Sequence, residues 1–209
     1  SQVTASMSDY IAAEYSDIFH QAKVNFDERR ELVQVVGNAI GRRMDQLVID
    51  ALNAASSPST VDTNVGGTTT NLNLAKLLAA KKALDANNVP QEGRCMVIHA
   101  NGLSALLDET ELTSSDFATV KSLSRGELDT FLGFRFIMLG DRDEGGLPLP
   151  STRTSFAFHR DAVGLGISMN QKSEINYVPE KTSFLVSSMF SAGAIAIDDE
   201  GIVKISSTE

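Results

Sequence analysis

From residue 27 to about residue 55, apolar side chains return at Leu32, Val36, Ile40, Met44, Leu47 and Ala51, spaced by four or three. At about 100° per residue that spacing lays them along one stripe, with Gln34, Asn38, Arg42 and Asp45 on the opposite side. The pattern predicts a single helix roughly 40 Å long at about 1.5 Å per residue, with Asp27 placed to cap its start. Gly37 and Gly41 interrupt it, each costing roughly 1 kcal/mol against alanine, and they permit close packing or a bend. A second helical stretch, 72–87, is rich in Leu, Ala and Lys and opens after Asn71. It stops at Asn87-Asn88-Val89-Pro90, because a residue before proline is pushed out of the α region.

Residues 91–94 then turn the chain, and Cys95-Met96-Val97-Ile98 is a continuous apolar run expected of a strand covered on both faces. Asn101 offers a further helix cap ahead of Leu103, Leu106 and Leu107. The segment 56–70, SSPSTVDTNVGGTTT, reads as a loop and a flexible excursion. Its small apolar content implies that it is mobile unless a neighbouring subunit orders it. Residues 1–26 show no sustained period and are expected to be extended or irregular. The last part, 131–209, reads mainly as β structure. In it Ala194-Ile195-Ala196-Ile197-Asp198, Asp199-Glu200-Gly201 and Ile202-Val203-Lys204-Ile205 carry the signal of a hairpin with glycine at a left-handed position. Helices early and strands late imply an α+β architecture.

At 209 residues the chain can bury one sizeable core, or a core with a lobe inserted into it. A formal net charge of −9 argues against a surface that clamps nucleic acid, which needs clustered Lys and Arg to displace counterions from phosphates. One cysteine, Cys95, excludes an intrachain disulfide. No apolar run reaches the length of a membrane span, and residues 1–20 lack a signal peptide's basic start and apolar middle, so the sequence reads as a soluble protein of a reducing compartment.

Candidate chemistry is sparse. His20, His99 and His159 are scattered, without the spacing of a metal site. Cys95 and His99 share a strand face but lie about 13 Å apart along it, which favours a buried, inert thiol over a nucleophile. Gly102-Leu103-Ser104-Ala105-Leu106 lacks the second glycine of a nucleophile elbow, so Ser104 reads as a helix residue. Asp141-Arg142-Asp143-Glu144-Gly145-Gly146 starts like a calcium loop but has Thr152 where the closing glutamate belongs; a solvated turn is the better reading. Gly66-Gly67 has no following Lys-Ser/Thr and reads as flexibility. No catalytic residue, cofactor or metal is expected.

The order of these parts resembles the core of tailed-phage major capsid proteins of the HK97-like family. There a helix ending in a V-P-x-x-G-R turn, a buried strand and a short helix precede a Gly-Phe strand. Val89, Pro90, Gly93, Arg94, Gly133 and Phe134 stand at matching places, and Ala157-Phe158-His159-Arg160-Asp161-Ala162-Val163 is similar to the family's next segment. The likeness covers about 27–205.

It implies an α+β HK97-like fold with a long spine helix. Residues 1–26 would be an extended remnant of an arm or loop, 27–70 the helix and loop of a peripheral domain, 71–150 mostly an axial domain, and 151–209 strands returning to the peripheral domain. The implied function is structural and non-enzymatic: a subunit of a phage or prophage head, assembled in the bacterial host cytoplasm into a closed icosahedral shell around DNA. Its partners would be copies of itself in hexamers and pentamers, with scaffolding, portal or decoration proteins in addition. Packaged DNA would be touched only non-specifically, and no membrane is involved. Arg29, Arg30, Arg42 and Arg43 become candidate inter-subunit contacts, against the alternative of a solvated charged face. Only 26 residues precede Asp27, where the family carries an arm and an extended loop, so the chain reads as shortened or processed and impaired in assembly relative to a form with the full arm. An encapsulin-like compartment enclosing protein shares the fold, and a small hydrolase acting through Cys95 or Ser104 is the reading from a different class.

Overall fold

The apolar stripe at 27–55 forms α2, Glu28–Asn53. Val36, Ile40 and Ala51 of the stripe are buried, whereas Leu32, Met44 and Leu47 are half-buried. The computed structural model describes residues 3–21, 23–25, 27–108, 131–141, 144–149 and 151–208. The chain divides into two compact units, Ser1–Val48 with Leu165–Ile195, and Ile49–Gly164 with Ala196–Glu209.

In the first unit α2 lies on a three-stranded sheet. Its strands are β1 (Ser8–Asp17), β6 (Val163–Val178) and β7 (Ser183–Ala196), in the order β1-β7-β6. β1 and β7 are antiparallel from Ser8↔Ala192 to Asp17↔Ser183. Because side chains alternate along a strand, Tyr10 and Ala12 of β1 and Phe190 and Ala192 of β7 share the helix side, where they pack with Ile40, Met44 and Leu47. The rings of Tyr10 and Phe190 stack at 5.1 Å. β6 and β7 form a hairpin closed by the 3-10 turn Pro179–Lys181 and by Thr182 in the left-handed region. The region 1–26, expected to be extended or irregular, thus contributes an ordered strand and a short helix α1, Ile18–Gln21.

The second unit is a five-stranded sheet in the order β2-β8-β5-β3-β4, from β2 (Ser59–Val61), β3 (Arg94–His99), β4 (Arg135–Leu139), β5 (Arg153–His159) and β8 (Ile202–Ser207). Helices α3 (Leu74–Ala86) and α4 (Ala100–Asp108) complete it. Leu77, Ala80 and Leu84 of α3 share a core with Met96, Ile98, Leu106, Phe134, Val203 and Ile205. β3 is buried along most of its length, as its unbroken apolar run implies.

The end of α3 shows how the V-P-x-x-G-R turn works. Asn88 sits at φ 55, and the amides of Asn88 and Val89 reach back to the carbonyls of Asp85 and Leu84, closing the helix in a Schellman motif with asparagine in the usual glycine place. Arg94 is buried and ties the turn to the helix end: it donates to the carbonyls of Val89 at 2.6 Å and Pro90 at 2.9 Å and pairs with Asp85 at 2.7 Å. Gly93 takes φ 87.

Four local expectations are corrected. The α3 cap is Asn73, whose side chain accepts from the Lys76 amide at 2.8 Å; Asn71 instead turns its oxygen onto the adjacent Leu72 amide. α4 begins at Ala100, so Asn101 lies inside it, and the imidazole of His99 receives the Asn101 amide at 3.3 Å. The segment 56–70 is no free excursion. β2 pairs in parallel with β8, Thr70 bonds back to Thr63 and Val65, and the buried Lys76 ammonium donates to the carbonyls of Thr70 at 2.6 Å and Ser206 at 3.0 Å. Finally, β7 and β8 are not a hairpin, because β2 and β5 already occupy both edges of β8. Their link is a 3-10 turn, Asp199–Gly201, capped by Asp198. Gly201 serves close approach there, since a Cβ would stand 2.7 Å from that of Ala162.

Candidate assembly surfaces

The four arginines of α2 divide by what they touch. Arg29 lies over the Phe184 ring, 4.8 Å from its centroid, and 3.8 Å from the Asp27 carboxylate. Arg43 lies 4.7 Å above the Tyr10 ring. Both therefore fasten the helix to its own sheet through cation–π contacts. Arg30 is exposed and Arg42 half-buried. Arg30 lines a shallow cavity of about 390 Å³ with Asp27, Arg29, Val33 and Ile175.

The surface that sequence reasoning passed over is β6. On this edge strand Leu165, Ile167, Met169, Ile175 and Tyr177 are between 39% and 49% exposed. They share one side of the strand. That side faces α2: Ser173 bonds Ser188 at 3.0 Å, the rings of Tyr177 and Phe184 lie 5.3 Å apart, and the Gln171 amide comes close to Gly37. The signal was present as an alternation of apolar and small or polar residues along 164–177. At the other edge, Ile11 and Tyr15 of β1 are 69% and 41% exposed on the face turned away from α2.

The candidate nucleophiles are not assembled into a site. Cys95 is half-buried, and burial pushes its thiol up, against the opposing pull of Arg135 and Arg160, so it stays protonated at neutral pH. His99 accepts from Asn101 at Nδ1, while its Nε2 faces Asp141 at 3.5 Å. Ser104 is an exposed residue of α4. Asp141 accepts from the Arg153 guanidinium at 2.6 Å; Arg142 and Asp143 lie outside the described residues. His159 bridges the Glu92 carbonyl, 2.8 Å from Nε2, and the Asp161 amide, and His20 pairs with Glu28 at 3.1 Å. Among the described residues no three metal-ligating side chains come together, and no helix is long and apolar enough to cross a membrane.

Solved structures share this architecture at low sequence identity. The chain is similar to a protein of Mycobacterium phage Che8, at 19% identity and a TM-score of 0.73 over 95% of this chain and 70% of that one. It is similar to the capsid of cyanophage P-SCSP1u, at 16% and 0.75, over 100% and 78%. A virus-like particle from Pyrococcus furiosus aligns at 13% and 0.62, over 95% and 75%. These likenesses establish the HK97-like α+β fold, with α2 as its long helix. No curated protein sequence matches the chain. The sequence model described as phage capsid protein matches residues 1–209, and the chain belongs to that family.

Proposed function

We propose that this chain tiles an icosahedral phage head around DNA as hexamers and pentamers, with its first unit as the peripheral domain and its second as the axial domain. The observation that carries the reading is the family match over all 209 residues, which makes the chain a structural, non-enzymatic subunit of a phage capsid. The long helix on a three-stranded sheet, and the separate unit holding the V-P-x-x-G-R turn, support the assignment of the two domains. Shell formation needs many weak heterologous contacts whose rotation closes. Arg30 and Arg42 present charge for them, and Arg29 and Arg43 add the outer faces of guanidinium groups already seated on rings. Scaffolding, portal and decoration proteins complete the set of partners. The net charge of −9 suits a wall that surrounds DNA without gripping it.

The test is the content of purified particles. Nuclease treatment followed by extraction should recover protected DNA of a single length class. Particles that hold only protein would replace this reading with the compartment that encloses protein cargo.

A further inference from the structure

We propose that the outer edge of β6 in one copy pairs with the outer edge of β1 in a second copy, continuing the three-stranded sheet from subunit to subunit. The proposal rests on the capsid reading and adds the surface by which copies join. Each of the two strands has β7 as its hydrogen-bonded neighbour, so its other edge presents peptide N–H and C=O groups that no strand among the described residues receives. Soluble proteins normally protect such edges with prolines, lone lysines, bulges or short strands. β6 is 16 residues long and contains no proline, and its one lysine, Lys172, is tied to Glu174 at 2.5 Å. Its apolar row, Leu165, Ile167, Met169, Ile175 and Tyr177, stays accessible beside that open edge.

Charge selects the partner. β1 carries Asp9, Glu14 and Asp17 and no cation. Two β1 edges together would gather carboxylates at close range, which is destabilising across a strand pair. β6 offers the complement. Glu14 shares the helix side of the sheet with Tyr10 and Ala12, and on that same side Arg29 and Arg30 line the cavity at the Ile175 end of β6. Asp9 and Asp17 point to the opposite side, where Lys172 of β6 is already paired with Glu174. A sheet continued with its helix-covered faces aligned therefore brings Glu14 toward Arg30, Arg29 being already beside Asp27. The joint is heterologous, uses both open edges and passes from copy to copy until the rotation closes.

Two measurements test it in the full-length protein. In a Cys95→Ser background, Glu14→Cys copies mixed with mass-tagged copies carrying Ile175→Cys, an exposed position on the same face of β6, should give a mixed disulfide dimer on mild oxidation. Dimers confined to Ile175→Cys copies, or none, would overturn the β1–β6 joint. Second, Ile167→Lys with Met169→Lys, both at exposed positions, should abolish shells while the circular dichroism spectrum is retained. Glu14→Arg should strongly reduce shell yield, and Glu14→Arg with Arg30→Glu should restore it. Shells from the doubly lysine-substituted protein at wild-type yield would overturn the joint and leave the capsid reading standing. A mixed disulfide between the two cysteine variants, together with wild-type protein that never closes into a particle, would uphold the joint and defeat the capsid reading.

Discussion

Arg94→Met should destabilise the second unit by about 3 kcal/mol, and the geometry says where that cost comes from. The guanidinium has a side-chain exposure of 1% and serves three acceptors: the carbonyls of Val89 and Pro90, and Asp85. Hydrogen bonds from a charged donor contribute roughly 1.5–3 kcal/mol each, which puts the two carbonyls at about 3–6 kcal/mol. The sum falls toward the lower end because Pro90 is exposed and water can replace the lost donor there. Removing a buried cation also returns part of its desolvation cost. Asp85 contributes less, since its side chain is 41% exposed and water screens its half of the pair. Arg94→Lys should recover little, because one ammonium cannot span three acceptors as the planar fork does. Urea unfolding of dissociated subunits, followed by circular dichroism, reads all three variants, with Asp85→Asn as the control. Arg94→Met within about 1 kcal/mol of the parent would refute the reasoning. So would Asp85→Asn costing as much as Arg94→Met, because the ion pair would then outweigh the carbonyl bonds.

Leu84→Ala, at a fully buried position of α3, should cost about 2–5 kcal/mol in the same assay; Leu47→Ala should cost less, because Leu47 is only half-buried, and equal losses would contradict the burial pattern. Burial lowers the pKa of Lys76 from its usual 10.5, with Asp62 opposing. The unfolded chain then holds more protons between the lowered value and 10.5, so stability relative to Lys76→Met should rise with pH across that window; a flat or falling difference in urea midpoints would refute it. Asn88→Val should lower stability by about 1–2 kcal/mol, because a β-branched residue is poorly tolerated at φ 55, whereas Asn88→Gly should be neutral or stabilising. Thermal melts of the two variants that coincide would contradict the left-handed assignment.

Where a physical signal is local, the sequence announces it. The period of four and three foretold α2, the asparagine pair before Pro90 foretold the end of α3, and the apolar run at 95–98 foretold a covered strand. The errors occurred where the outcome depends on contacts that residue spacing does not show, several of them with residues far along the chain. Asn71 and Asn73 are equally good caps on paper; the choice fell when Asn71 turned its oxygen onto Leu72. Residues 194–205 look like a hairpin until β2 and β5 occupy the edges of β8. The polar segment 56–70 lacks apolar surface, yet its threonines, Asn73 and the Lys76 ammonium order it by hydrogen bonding instead. Arg29 and Arg43 were indistinguishable from Arg30 and Arg42 in sequence, because the rings that hold them, Phe184 and Tyr10, lie on strands distant in the chain. The exposed row on β6 was visible as an alternation, but alternation alone does not say whether a second layer covers the strand.

The most direct measurement of the central claim is cryo-electron microscopy of particles assembled from the full-length protein, at a resolution that places α2 and the five-stranded sheet. The account predicts closed icosahedral shells in which the unit holding the V-P-x-x-G-R turn surrounds the fivefold and sixfold positions and the unit built on α2 lies at the periphery. Open sheets or fibres, or closed shells with α2 lining the axes, would contradict it.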